Sequence, residues 1–124
     1  MLEKKEFTKI MRAYGKAWET FDSQGITALF AKDGTYQEKP FKRPYRGHAA
    51  IKRYWKKIGE KEKNVHFTLG KMYVEGDTGI AEWKATFKYR EGSASQELSG
   101  ILLATIKRGK IQKFWEYWRR KYTH

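Results

Sequence analysis

Apolar residues in the first part of the chain fall three and four positions apart. Phe7, Ile10, Met11, Tyr14, Ala17 and Phe21 draw one stripe down a long amphipathic helix. Asp22, Ser23 and Gly25 interrupt it. A short second helix is predicted over "ITALFAK", stopping at the turn signal "KDG". "TYQEKPF" then has strand character, and Pro40 and Pro44 impose an irregular connection. From Gly47 the helical spacing returns over "HAAIKRYWKKI", with Ile51, Tyr54, Trp55 and Ile58 on one face and the charged link "GEKEKN" behind it.

After that link the period becomes two. "VHFTLGKMYVEG" passes through the tight turn Gly76-Asp77-Thr78-Gly79 into "IAEWKATFKYREG". "SQELSGILLATIK" and "IQKFWEYWRRKY" follow, joined by "RGK". Ala81, Trp83, Ala85 and Phe87 alternate with Glu82, Lys84, Thr86 and Lys88, so this strand has one wet face. Helices first and consecutive antiparallel strands later predict an α+β fold, with a curved sheet wrapped around the helices. A length of 124 residues predicts a single domain over 1–124.

Composition changes this picture at three points. The aromatic share of 16% leaves large rings over for a pocket once a core is filled. The chain has no cysteine, which removes thiolate metal sites and a cysteine nucleophile and fits a reducing compartment. The charge of +13 predicts salt-dependent attraction to polyanions, although the basic residues are spread through every element. Charges in "MLEKKEFTKI" and the lack of a long apolar run lead to the expectation of a soluble, cytoplasmic protein with no membrane partner.

Four stretches carry a resemblance. "AYGKAWETFDSQGITALFAKDGTYQE", "PYRGHAAIKRYW", "YVEGDTGIAEWKATF" and "GKIQKFWEYW" occur in the order and spacing of the SnoaL-like branch of the nuclear-transport-factor-2-like superfamily, which has the ketosteroid-isomerase-like fold. The chain resembles that branch over nearly its full length. The resemblance implies a cone-shaped half-barrel, with three helices from the N-terminal half packed on a curved, mainly antiparallel sheet. It also implies a pocket between helices and sheet, and a homodimer formed through the sheet's outer face. It does not fix one reaction, because relatives include isomerases, cyclases, epoxide hydrolases, dehydratases and non-catalytic carriers.

Glu38 is the leading candidate for catalysis. It follows Tyr36 by two positions on one strand face, and an apolar, aromatic setting would raise its pKa toward that of a general base. The competing reading is a carboxylate tied to Lys39, Lys42, Arg43 or Arg46. His66 is a candidate partner across the pocket mouth, set against a plain solvent-facing histidine. His48 is expected to be exposed, His124 to be frayed, and Asp33 and Asp77 to be turn residues. Tyr14, Trp18, Tyr36, Trp55, Trp83, Phe87, Trp115 and Tyr117 are the predicted pocket walls. Gly100, in mid-strand, marks a bend or a close approach. In many catalytic relatives the last strand ends in a pattern like Tyr-x-Asp, whereas here Arg119 takes the matching place; it cannot serve as a base, and is a candidate pocket residue for an anionic group on a ligand, set against plain exposure to solvent.

No phosphate loop, metal spacing or serine elbow is legible, so no cofactor is expected. These features lead to a small apolar or ring-containing ligand, with isomerase, cyclase or hydratase chemistry and a pure carrier both open. The basic run from Lys39 to Lys57, with its interleaved rings, keeps nucleic acid or another polyanion as the alternative.

Overall fold

The computed structural model describes residues 1–121. The expected strand end at Tyr122 and the frayed His124 lie outside them.

Helix α1 (Lys4–Glu19) buries the stripe of Phe7, Ile10, Met11, Tyr14, Ala17 and Trp18. Phe21 lies past its end, at a backbone φ of 54°. Helix α2 (Ser23–Ala28) starts three residues earlier than "ITALFAK" suggests, because Asp22 caps it by accepting from the Gly25 N–H at 2.8 Å. Phe30 is already strand. β1 (Phe30–Gln37) runs straight through "KDG" as a register shift between Phe30 and Thr35, where a turn was expected. Asp33 therefore lies in a strand, accepting from the Gln112 amide at 3.1 Å.

The two-residue β2 (Tyr45–Arg46) leads into α3 (Gly47–Lys61). The charged link forms no loop. Helix α3 absorbs its first half, and β3 (Glu62–Glu75) begins at the next residue. β4 (Thr78–Tyr89), β5 (Ser95–Lys107) and β6 (Lys110–Arg120) complete the meander.

The six strands form one sheet in the order β2-β1-β6-β5-β4-β3. All neighbours are antiparallel except β1 and β6, which run parallel. The sheet is curved and unclosed, and the three helices cover its concave side. One apolar core joins them, with Phe7, Met11, Tyr14, Ile51, Ala81, Leu102, Ala104, Ile111 and Phe114 at essentially no exposure.

One irregularity in β6 decides where the site lies. The Arg108-Gly109 turn pairs Lys107 with Lys110 and Ile106 with Ile111, but from Thr105–Lys113 onward the register shifts by one residue. Gln112 is the extra residue of a bulge. Strict alternation from the buried Ile111 would turn residues 113, 115, 117 and 119 inward. The bulge turns Phe114, Glu116, Trp118 and Arg120 inward instead.

Candidate functional site

A cavity of about 200 Å³ lies between α1, α3 and the concave face of the sheet. Tyr14 and Trp18 enter from α1, and Tyr54, Trp55 and Ile58 from α3. Tyr36 comes from β1, Trp83 and Phe87 from β4, and Glu116 and Trp118 from β6. The rings hold one another at fixed angles. Tyr14 meets Trp55 edge-on at 5.7 Å, and Trp18 meets Trp55 and Trp83 in the same way at 5.7 and 6.1 Å.

Glu116 occupies the floor, at 4% exposure. The Tyr36 hydroxyl donates to one of its oxygens at 2.7 Å and the Tyr14 hydroxyl to the other at 3.3 Å. Burial raises its pKa to about 8 despite these two donors, which stabilise the charged form, and the Glu38 charge adds to the rise. Near neutral pH this carboxyl therefore sits close to its own midpoint, able to give or take a proton. Both tyrosine hydroxyls are in turn held well above their ordinary pKa by burial and then by the Glu116 charge, so they act as donors and stay protonated.

Glu38 lies at the mouth. It accepts from the Tyr54 hydroxyl at 2.8 Å and forms an ion pair with Lys42. Its backbone carbonyl accepts from the Trp118 indole N–H, pinning the end of β1 to β6. Glu38 thus lines the cavity and is at the same time tied to a lysine, as the competing reading has it. A third carboxyl, Glu62, is buried where α3 passes into β3 and accepts from the Trp18 indole N–H at 2.9 Å. Burial raises it to about 7, opposed first by the Trp18 bond and then by the charges of Arg120 and Lys61.

Of the residues singled out from sequence, Glu38, Tyr14, Trp18, Tyr36, Trp55, Trp83 and Phe87 come together around this space. Trp115, Tyr117 and Arg119 do not. The bulge at Gln112 puts all three on the outer face, where Tyr117 is 48% exposed. Arg119 accordingly offers nothing to a ligand in the cavity, and Arg120 takes the inward position. His66 is also on the outer face, exposed, in a separate depression with Asn64, Thr86, Lys88 and Gln96, so it does not meet Glu38. His48 is half-buried rather than exposed, its Nε2 2.8 Å from the Phe30 carbonyl oxygen. Gly100 lies between Trp83 and Trp118 in neighbouring strands. A Cβ there would collide with the Tyr117 carbonyl oxygen and lie 2.7 Å from Trp118 Cβ, which makes it a close approach of β6.

Glu116, Glu62 and Tyr54 were missed as site residues. One signal for Glu116 was available: it is the only acidic residue after Glu97, and aromatic residues flank it on both sides. Among the described residues, no group of three or more acidic, histidine or cysteine side chains is arranged to hold a metal ion.

Solved structures share this architecture. A candidate isomerase from Bacillus subtilis superposes with a TM-score of 0.85 at 22% identity, covering 96% of this chain and 90% of that one. A hypothetical protein from Catenulispora acidiphila with a ketosteroid isomerase-like fold, in complex with trimethylamine, gives 0.80 at 23% identity over 87% and 83%. The epoxide hydrolase/cyclase-like enzyme SalBIII, of pyran ring formation in the polyether salinomycin, gives 0.83 at 17% identity over 96% and 95%. Likeness at this identity speaks for the fold alone. No curated protein matches the chain. The SnoaL-like domain family matches residues 11–114, from the middle of α1 to the middle of β6, and the chain belongs to that family.

Proposed function

We propose that the chain binds a small apolar or ring-containing molecule in the aromatic cavity and moves a proton on it, with Glu116 as the acid and base. The observation that carries this reading is the carboxyl of Glu116, enclosed by rings, held by two tyrosine hydroxyls and raised to about 8. A buried carboxyl of that kind can take a proton from a carbon next to a carbonyl and return it elsewhere, which suits isomerase or related chemistry. Glu38, tied to Tyr54 and Lys42, guards the mouth and keeps that end of the cavity polar. The volume of about 200 Å³ is below the usual range for drug-sized ligands and matches a fragment-sized one.

The test is exchange of the α-hydrogens of cyclohexanone for deuterium, followed by NMR. The wild-type rate should rise with pH and level off above about 8, as Glu116 ionises. Glu116→Gln should abolish the exchange, while His66→Ala on the outer face should leave it unchanged. Ketone binding without exchange would make the chain a carrier.

Two partner readings accompany this one. Of the rings in the basic run, only Phe41 stands free in solvent; Trp55 is 4% exposed, and Tyr45 packs on Tyr54 at a centroid distance of 4.8 Å. This favours the cavity over nucleic acid as the site. On the outer face of the sheet, Tyr73, Ile101 and Tyr117 are exposed at 54%, 43% and 48%, with Ile80, Leu103 and Trp115 half-buried among them. A second copy of the chain is the occupant this face fits best, since a two-fold contact sets the same apolar patch against itself. Ile101→Glu should then halve the mass seen by analytical ultracentrifugation.

A further inference from the structure

The connection between β1 and β2 carries two features that the cavity does not explain. Lys39, Pro40, Phe41 and Lys42 form a β-turn, closed by the Lys42 N–H on the Lys39 carbonyl at 3.3 Å. Pro40 stands second, where its fixed φ suits the turn, and Phe41 stands third at a φ of 66°. That third position ordinarily falls to glycine, and a bulky side chain there is strained. The ring gains nothing from the protein in return: Phe41 is 105% exposed, as free as in an extended chain. The turn is nevertheless anchored. The Gln37 amide donates to the Lys42 carbonyl at 3.0 Å, and the Lys42 ammonium pairs with Glu38. An apolar ring held in water on a strained, anchored turn points to a partner outside the molecule.

The surroundings of the ring are cationic. Lys39, Lys42, Arg43 and Arg46 flank it, all exposed, and the run from 39 to 59 holds eight lysines and arginines and no acid. Glu38 is occupied by Lys42 and Tyr54, and Glu60 stands at the far end of α3. Glu116 and Glu62 are buried, with Lys61 and Arg120 lining the same cavity. A second copy of the chain would bring its own charge of +13 against this turn. Nucleic acid would satisfy the cations, but single strands are held by successive rings along a groove. Here one ring stands on a convex turn, while Tyr45, Tyr54 and Trp55 pack on one another. A bilayer carrying anionic lipid meets both features, with phosphates for the cations and an apolar boundary for the ring.

We propose that the turn from Lys39 to Lys42 docks the protein on an anionic membrane surface, with Phe41 entering the boundary between headgroups and acyl chains and Lys39, Arg43 and Arg46 facing lipid phosphates. The contact is peripheral. It departs from the expectation of no membrane partner, which rested on the lack of a spanning segment and does not bear on a surface contact. Glu38 lies at the root of the turn and Lys39 lies 5.9 Å from the Trp118 ring, so docking brings the cavity mouth to the lipid. The inference does not depend on what the cavity binds.

The experiment is flotation of the whole protein with vesicles of phosphatidylcholine alone and of phosphatidylcholine mixed equally with phosphatidylglycerol. The protein should float with the mixed vesicles and not with the neutral ones. Phe41→Gly should weaken that binding about 10-fold through the lost apolar contact. Its thermal midpoint should hold or rise, because glycine relieves the turn; a ring kept for stability would give the opposite. Lys39→Gln with Arg43→Gln should weaken binding about 20-fold. Lys107→Gln with Arg108→Gln, at the other end of β6, should change it less than about 2-fold. Phe41→Cys places the chain's only thiol on the turn, and a polarity-sensitive dye attached there should shift to the blue on the mixed vesicles. Equal losses from the two charge pairs would assign the attraction to the whole-molecule charge and overturn the inference. So would a dye that stays in water on bound vesicles, or an unaltered affinity of Phe41→Gly. No flotation with either vesicle would overturn it outright. A single-stranded oligonucleotide bound in that case, and weakened by Phe41→Gly, would give the turn to nucleic acid instead.

Discussion

Glu38 and Glu116 are the same side chain lining the same cavity, and each accepts a hydrogen bond from a tyrosine hydroxyl. They differ in what else is near. Glu38 sits at the mouth with a cation, Lys42, beside it. Glu116 sits on the floor with a second tyrosine and no cation, and burial lifts its carboxyl to about 8. Depth and the absence of a counter-charge, rather than residue type, prepare a carboxyl to exchange protons near neutral pH. The mouth residue is electrostatically satisfied, and the floor residue is not.

This contrast predicts a ranking of effects. The largest concerns stability against pH. The folded-state pKa of Glu116 lies above its value in the unfolded chain, so between about 4.5 and about 8 the unfolded state releases the proton first. Stability is therefore full below about 4.5, falls as pH rises toward about 8, and is flat above. Glu62, raised to about 7, adds a contribution of the same sign over a narrower window. Glu116→Gln should remove most of the slope, gaining about 2–4 kcal/mol at pH 9 and little at pH 4 in urea unfolding. If the variant and the wild type kept parallel curves, Glu116 would not be the buried acid.

The next effect belongs to Tyr36. Its bond favours the charged form of Glu116, so Tyr36→Phe should move the carboxyl further up by about one pH unit, read from its ¹³C resonance. A downward movement would show that Tyr36 acts on the protonated form. The smallest effect is at the mouth. Glu38→Gln breaks a partly exposed ion pair but leaves the Tyr54 hydroxyl an acceptor, so it should cost less than about 1 kcal/mol and lessen the pH slope only by the small share of the Glu116 rise that the Glu38 charge supplies. A change in the slope as large as that of Glu116→Gln would erase the contrast between the two carboxyls.

Most of the fold was legible because its patterns are strong. The stripe from Phe7 to Ala17, the face of Ile51 and Trp55, and the alternation of Ala81, Trp83, Ala85 and Phe87 all bury the residues their periods select. The local signals that misled were turn signals. "KDG" marks a bulge inside β1, and "GEKEKN" spans a helix end that passes into a strand without a loop. The site was half legible. Tyr36 and Glu38 followed from alternation at the end of β1, past its register shift. In "KIQKFWEYWRR" both faces are aromatic, so hydrophobicity cannot tell them apart. One extra residue at Gln112 then exchanges Trp115, Tyr117 and Arg119 for Phe114, Glu116 and Trp118. Alternation is blind to a bulge unless one face is plainly polar, and here only the lone Glu116 marks the inner side.

The parallel pairing of β1 with β6 has a consequence for how the molecule comes into being. Tyr36 and Glu116 are 80 residues apart and Tyr14 and Glu116 are 102 apart, so the contacts that set the acid are among the most remote in the sequence. During synthesis, the helices and β1 emerge with the floor of the cavity still missing. The wall of rings must wait, open to water, until the final strand slides in along β1. The site therefore cannot close before β6 has been made, and a nascent chain that stalls short of it carries its tryptophan and tyrosine wall without a floor.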